Sequence, residues 1–158
     1  MRRLVVVLLA CAGCGAPGDA SAPLGVDIRG VAPESLGFVQ VVVLARAANY
    51  TCDAVNANCL ATVPDADIVR QRVGSAEEKA TRVAINSAQA TGQGQTLSVQ
   101  VPSGTNYLFV AQALSTDGRR ILAAGCEPVA NIVEGENTPV LIRVRDLNPV
   151  PACDPTLK

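Results

Sequence analysis

The chain has 158 residues, of which 49% are apolar and only 3% aromatic, so it is long enough for one domain whose core consists of Val, Ile, Leu and Ala. Its formal net charge of -1 provides no positive field to attract nucleic acid, and we expect no nucleic-acid partner. It contains no His, the commonest general base and metal ligand, and we expect no cofactor.

The first residues have the architecture of a secretory signal peptide. Arg2 and Arg3 give a positive start, residues 4–10 form an apolar run, and small residues follow. The run is shorter than the roughly 20 residues that cross a bilayer. The sequence therefore predicts a signal peptide at 1–13, a flexible tether at 14–23 and a domain at 24–158.

Two cysteines behind the apolar run resemble the bacterial lipobox, an apolar residue followed by two small residues and Cys. Residues 8–11 (Leu-Leu-Ala-Cys) match its first position, and residues 11–14 (Cys-Ala-Gly-Cys) match that position less well. In this family the Cys receives a diacylglyceryl thioether, the preceding peptide is removed and the new amine is usually acylated. The resemblance implies attachment to a lipid bilayer through acyl chains, such as palmitate, on Cys14 or Cys11.

The choice between the two cysteines stays open. Leu8 favours Cys11, but cleavage there implies a very short signal peptide. Cleavage before Cys11 would also leave Cys14 as a free thiol in an oxidising compartment, whereas cleavage before Cys14 leaves four further cysteines, an even set. The residues after the two candidate cysteines are Ala12 and Gly15. Neither is Asp, which at this position commonly retains such lipoproteins at the inner membrane. The resemblance therefore implies the outer membrane if the cell is Gram-negative, facing either the periplasm or the surface.

Apolar and polar residues alternate along much of the remaining chain, as they do in half-buried strands. A nearly continuous apolar run at 38–45 predicts a central strand. Residues 74–81 are the one helical candidate, because Ser75 and Glu78 are spaced as a capping box. Further strands are predicted at 26–28, 97–101, 107–114, 121–124, 129–133 and 140–144. Weaker patterns predict strands at 68–73 and 82–85.

Turn residues at 102–104, 115–118 and 134–137 separate these strands at a spacing of about ten residues. We therefore expect an all-β fold, an antiparallel Greek-key β-sandwich of about seven strands with at most one short helix. Residues 101–107 (Val-Pro-Ser-Gly-Thr-Asn-Tyr), 125–126 (Gly-Cys) and 135–140 (Gly-Glu-Asn-Thr-Pro-Val) resemble prealbumin-like and carboxypeptidase-regulatory-like sandwiches of exported bacterial proteins. The resemblance implies a non-catalytic Greek-key sandwich and assigns no functional residue.

Four cysteines lie in the predicted domain: Cys52, Cys59, Cys126 and Cys153. In an exported chain this even set predicts two disulfides. Three connectivities exist, and we favour Cys52–Cys59 with Cys126–Cys153, which would staple an Asn-rich loop and pin the Pro-rich C-terminal tail. A zinc site is disfavoured because these cysteines form no C-x-x-C pair and the chain has no His.

Asp53, Asn56 and Asn58 place three oxygen-bearing side chains on a short stretch, which is a weak indication of a calcium site. A polar loop with Asx turns explains the same residues. The Gly and the bidentate Glu of calcium loops are missing, so we favour the polar loop and expect no metal.

The sequence contains no assembled catalytic motif, so we expect that the protein is not an enzyme. We expect a membrane-anchored lipoprotein of the cell envelope with a structural or binding sandwich. One alternative is an accessory subunit of a larger secretion or adhesion assembly, in which another envelope protein is its partner. A more remote alternative is a hydrolase of envelope polymers that uses two carboxylates.

Overall fold

The computed structural model describes residues 19–45, 50–73, 77–80, 82–86 and 96–153. Within these ranges the chain forms mostly strands and one α-helix. The helix α1 is Cys52–Ala57, and short 3-10 turns lie at Pro33–Ser35, Leu60–Thr62 and Asp65–Asp67. The strands are β1 Asp19–Arg29, β2 Leu36–Leu44, β3 Arg70–Val73, β4 Glu77–Ala80, β5 Arg82–Asn86, β6 Thr96–Pro102, β7 Gly104–Ser115, β8 Ile121–Ile132 and β9 Val140–Asp146.

Seven of these strands form one sheet in the order β5-β2-β7-β8-β9-β1-β6, and β3 and β4 form a separate pair. The all-β class is confirmed. The expectation of a purely antiparallel arrangement is wrong at one place, since β1 runs parallel to β9. A parallel pair needs two strands that are not joined by a hairpin, and here the first and last of the described strands lie side by side. Apolar alternation carries no information about direction, so the sequence could not reveal this pair.

The sheet curls so that distant strands meet. Pro102 ends β6 and Gly104 begins β7, although these strands are seventh and third in the sheet order. Two residue steps span at most about 7 Å, so the two strand ends lie side by side. The hydroxyl of Tyr107 on β7 donates to the carbonyl oxygen of Pro102 at 3.0 Å across this corner.

The inner face of the curled sheet encloses one apolar core. Every second residue of β2, β7 and β9 points into it, as strand periodicity requires. These strands contribute Val39, Val41, Val43, Tyr107, Phe109, Ala111, Ala113, Val140, Ile142 and Val144, and Val26 and Ile28 of β1 pack against them.

The predicted central strand at 38–45 is confirmed as β2, which is buried on both faces. Val39, Val41 and Val43 lie in the inner core, whereas Val42 and Leu44 belong to a second apolar cluster on the outer face. This double burial explains why the strand has no polar alternation along most of its length.

The predicted turn at 115–118 is also confirmed. Gly118 has a φ of +70°, and its backbone N–H donates to the carbonyl oxygen of Ser115 at 2.8 Å. The Ser115 hydroxyl donates to the carboxylate of Asp117, which also accepts from the backbone N–H of Arg119. These hydrogen bonds lower the pKa of Asp117 below its usual value, the bond from Ser115 being the largest cause.

The helix predicted at 74–81 is wrong for the residues that the structure describes there. Residues 77–80 form β4, in which Glu77 pairs with Val73 and Ala80 with Arg70 of β3, while residues 74–76 and 81 lie outside the described ranges. A capping-box spacing is a local signal, and pairing with a neighbouring strand overrides it.

β8 is one strand where two were expected, and it contains Pro128. Pro128 pairs with Leu108 of β7, while on the other side β8 pairs with β9 only at Ala123 and Ala124. The Pro nitrogen, which has no hydrogen to donate, is therefore tolerated beyond the end of the β8–β9 ladder.

β1 begins at Asp19, so residues 19–23, which we expected to belong to the tether, lie within a strand. They pair with residues 98–102 of β6. The Ala, Ser and Pro composition of this stretch is typical of a linker, and only the distant partner strand makes it extended and paired. No helix in the described ranges has the length and apolar character to cross a membrane.

Candidate functional site

The outer face of β2, β7 and β8 is covered by residues 50–69, and we call this segment the stapled segment. Its apolar side chains Val55, Leu60 and Ile68 are buried against the sheet. The sheet residues that they meet are Val42, Leu44, Leu108 and Val110. Because this part of the sheet is apolar on both faces, the segment completes a second core layer.

The segment folds locally by capping and by a return to β2. Thr51 is the N-cap of α1, and its hydroxyl oxygen accepts from the backbone N–H of Ala54 at 3.2 Å. At its far end, the backbone N–H of Val69 donates to the carbonyl oxygen of Val43 at 2.8 Å. The backbone N–H of Ala45 donates to the backbone carbonyl oxygen of Asp67 at 3.0 Å. The far end of the segment is thus held to β2 by two backbone hydrogen bonds.

Gln112 of β7 lies fully buried beneath the segment and joins it to the sheet. Its amide Nε2 donates to the carbonyl oxygens of Val55 at 2.9 Å and Asn58 at 2.6 Å. Its Oε1 accepts from the backbone N–H of Leu60 and from Nε2 of Gln40, both at 3.0 Å. Every hydrogen of this buried amide has a partner, which a polar group in an apolar layer requires.

Two disulfides fix the stapled segment at Cys52, where α1 begins, and at Cys59, just after α1 ends. Cys52 is joined to Cys126 with a Cα–Cα distance of 5.7 Å, and Cys59 to Cys153 with a distance of 5.0 Å. The expectation that these four cysteines pair is supported. The favoured connectivity of Cys52–Cys59 and Cys126–Cys153 is wrong, because α1 separates the two nearby cysteines. The helix directs Cys52 to β8 and leaves Cys59 beside the C-terminal tail.

The C-terminal tail is pinned beside the start of β8, as expected, but through Cys59. The backbone N–H of Ile121 donates to the carbonyl oxygen of Pro151 at 2.9 Å, and that of Cys153 donates to Arg119 at 2.7 Å. Residue Ala152 forms an antiparallel bridge with Arg120. The tail therefore extends the sheet at the turn between β7 and β8.

Tyr50 at the start of the stapled segment and Asp67 near its end form the base of the segment, and the phenol donates a hydrogen bond to the carboxylate. Burial, the hydrogen bond and the charge of Asp67, in that order, raise the pKa of Tyr50 to about 12. The phenol is therefore neutral throughout the physiological range and serves as a donor.

The calcium candidates lie on or next to α1. Asp53 is exposed in the first turn, Asn56 follows one turn later, and the Nδ2 of Asn58 donates to the carbonyl oxygen of Ala54 at 2.6 Å. The Oδ1 atom of Asn56 is buried without a hydrogen bond. Over the described ranges, no group of three or more Cys, Asp or Glu side chains comes together at a metal-binding separation. The polar loop that we expected around these residues is wrong, because α1 occupies Cys52–Ala57.

The lipidation candidates Cys11 and Cys14 lie outside the described residues. Among the residues that sequence reasoning missed, Gln112 had a visible signal, since it is the one polar residue in the apolar run 108–114. Thr51, followed by the acidic Asp53 in the first helical turn, had the pattern of a helix start. The pairing of Tyr50 with Asp67 had none.

Comparison of the chain with protein-family models, with curated proteins and with solved structures found no significant match. The interpretation of the stapled segment therefore depends on its geometry. The buried amide of Gln112 beneath the segment is occupied in hydrogen bonds, and the segment's two cysteines, Cys52 and Cys59, are occupied in disulfides, so these groups hold the segment against the sheet.

Proposed function

We propose that this protein is a lipid-anchored lipoprotein of the cell envelope whose domain has a structural or binding role without catalysis. The observation that carries this proposal is that Cys52, Cys59, Cys126 and Cys153 form two disulfides. Disulfides persist in oxidising compartments and are rare in the reducing cytosol. Two cross-links in one small domain therefore support export.

The N-terminal sequence supports the same proposal from an independent direction. A positive start, an apolar run and a Cys behind it are the elements of a lipoprotein signal. Acylation of Cys14, or of Cys11, would attach the domain to the bilayer, and two or more acyl chains give stable attachment whereas one is marginal. We place the anchor in the outer membrane if the cell is Gram-negative.

We also propose that the domain of this lipoprotein is a Greek-key sandwich. It is supported by the curl of the seven-stranded sheet around one apolar core and by the corner between β6 and β7. The stapled segment then adds a cross-linked layer on the outside, which suits a domain in an oxidising compartment.

The test is metabolic labelling with palmitate, combined with the intact mass of the mature protein before and after reduction. We expect label in the wild-type chain, a mature N-terminus at Cys14 or Cys11, and a mass increase on reduction of two hydrogens per disulfide. Cys14→Ser and Cys11→Ser form a matched pair, and only one of them should lose the label. A mature chain that begins at Met1 and has four reactive thiols in the domain would refute the proposal.

The sheet edges favour a second candidate, an accessory subunit of a larger envelope assembly. β5 and β6 are the outermost strands of the described sheet, and each pairs with one neighbour there. Such edges can accept a strand from another protein. Crosslinking in intact cells should capture one large complex if the domain is a subunit, and diffuse products if it acts alone.

A further inference from the structure

The strand directions gather a defined set of residues at the end of the sheet where β1 begins. Asp19 pairs with Pro102 of β6, and Gly104 of β7 pairs with Ile132 of β8. Loop 133–139 leaves β8 at this end, before β9 begins beside Leu24. We call this end, formed by Asp19, residues 102–106 and loop 133–139, the anchor-side rim.

The opposite end of the sheet contains different elements. Leu114 pairs with Ile121 across the turn at 115–120, and Asp146 at the end of β9 pairs with Ala123. The tail 147–153 is attached at the same place through Cys153. We call the turn 115–120 together with this tail the far rim.

Chain length limits how far the anchor-side rim can lie from a lipid anchor. From Cys14 to Asp19 there are five residue steps, which span at most about 18 Å even when fully extended. From Cys11 there are eight steps, which span at most about 29 Å. The 11 residues of β1 are about 36 Å long by comparison. The tether is therefore shorter than the strand that it leads into.

We propose that the anchor-side rim faces the phospholipid headgroup layer and that the far rim points away from the bilayer. This inference rests on the proposed lipid anchor and adds the orientation of the domain to it. A tether of this length is attached to Asp19 at the start of β1, so it keeps that end of the strand beside the bilayer. The far end of β1, at Arg29, lies a full strand length from Asp19.

The surface chemistry of the anchor-side rim fits contact with headgroups without insertion. The exposed side chains Thr105, Asn106 and Asn137 are polar and uncharged. Loop 133–139 adds the exposed acids Glu134 and Glu136, which do not enter hydrocarbon, beside one exposed apolar side chain, Val133. The rim therefore lies against the hydrated headgroup layer, and acyl chains supply the attachment.

The competing pose lays the domain flat on the outer face of β9, where Arg143 and Arg145 are exposed. The parallel register places Asp27 of β1 next to Arg143, so an acidic residue accompanies the two basic ones on this face. A flat pose would bring the two rims equally close to the lipid, whereas the proposed pose separates them.

The experiment uses the full lipidated chain in vesicles of phosphatidylethanolamine and phosphatidylglycerol that contain a headgroup nitroxide lipid. A fluorophore is attached to Asn137→Cys on the anchor-side rim or to Thr116→Cys on the far rim, both exposed positions. We expect quenching about threefold or more stronger for the label at 137, because the tether confines that rim. Intact mass confirms that both disulfides remain.

The matched control is the same pair of labels in a chain with about 20 Gly and Ser residues inserted before Asp19, whose flexible span is about 27 Å. The difference between the two labels should then largely disappear. Equal quenching of both labels in the natural chain, or stronger quenching at 116, overturns the orientation while leaving the anchor in place. A chain that incorporates no palmitate and does not float with vesicles overturns the anchor and the orientation together.

Discussion

Gln40 and Gln112 lie directly opposite each other on β2 and β7, and the Nε2 of Gln40 donates to the Oε1 of Gln112 at 3.0 Å. This contact links the side-chain amide of a half-buried residue to that of a fully buried one. Gln112 uses its remaining hydrogen-bonding capacity on three backbone groups of the stapled segment. A single side chain thus connects the sheet to the layer that covers it.

Replacement of Gln112 by Met should lower the free energy of unfolding by about 3 kcal/mol or more, because backbone groups of Val55, Asn58 and Leu60 lose a buried partner. Met has a similar volume, so the loss reports hydrogen bonding and leaves packing largely intact. Urea unfolding of the disulfide-intact protein, followed by circular dichroism, measures the change.

The matched control is Gln40→Met, which removes one hydrogen bond at a half-buried position and should cost about 1 kcal/mol. Similar losses for the two variants would contradict the role of Gln112 as the connection between the sheet and the stapled segment.

The disulfide connectivity can be read from peptides of the unreduced protein after combined cleavage by trypsin and an Asp-specific protease that cuts before Asp53. This cut separates Cys52 from Cys59. We expect peptide 47–52 to be linked to 121–143, and 53–64 to 146–153, as the two disulfides require. Linkage of 47–52 to 53–64 would restore the connectivity that sequence reasoning favoured.

Each disulfide should also stabilise the fold strongly, because the linked residues are 74 and 94 positions apart. In the chain-entropy account, loops of this size contribute about 4.5 kcal/mol each. The double variants Cys52→Ala with Cys126→Ala, and Cys59→Ala with Cys153→Ala, should each lose most of that amount in urea unfolding. A loss well below this amount in either double variant would contradict a cross-link between residues so far apart in the chain.

The strands and the turns between them were largely predictable from the sequence, because both depend on local patterns. β2 was recognisable from its apolar run, and the turn at Gly118 from its residue types. The parallel partner of β1 and the cysteine connectivity were not predictable, since both depend on which distant residues the curl of the sheet brings together. The helix at Cys52–Ala57 was missed because six residues are too few to show a helical period.

The candidate site was predictable only in its composition. The sequence indicated that Cys52, Cys59, Cys126 and Cys153 pair, but it could not indicate that Cys52 and Cys59 lie in the segment whose backbone Gln112 binds. The hydrogen bonds of Gln112 reach residues more than 50 positions away in the chain. Such contacts leave no periodic trace in a single sequence.

Gly125 of β8 allows the backbone of β9 to approach closely. A Cβ atom at this position would lie 2.1 Å from the carbonyl oxygen of Arg143 and 3.0 Å from the Cα of Val144, and the backbone of this neighbouring strand cannot easily move aside. Gly125→Ala should therefore lower the free energy of unfolding by about 3 kcal/mol or more.

Gly135→Ala is the matched control for the same substitution at a position with space. No atom lies within 4 Å of its added Cβ, and the cost comes from the φ of +76°, which is worth about 1 kcal/mol for an L residue. Urea unfolding of both variants tests the contrast. Equal stability of the two would mean that β8 and β9 are not in close contact at Gly125.

Tyr50 should make stability fall at high pH. Its pKa of about 12 in the folded protein lies above the value near 10 of an unfolded tyrosine, so folding favours the neutral phenol. This contribution is fully present below pH 10 and is lost as the pH rises from about 10 through about 12. Unfolding by urea at a series of pH values should show the fall, and Tyr50→Phe should reduce it.

Phenolate absorbance provides the direct measurement, because the chain contains only two tyrosines and no Trp. Burial also raises the pKa of Tyr107, so both tyrosines of the folded protein should titrate above the pKa of an unfolded tyrosine. In Asp67→Asn the pKa of Tyr50 should fall below that of the wild type and yet stay above 10, since burial is the largest cause of its shift. A midpoint for Tyr50 unchanged by Asp67→Asn would show that the carboxylate does not contact the phenol, and the base of the stapled segment would then be held by its backbone hydrogen bonds alone.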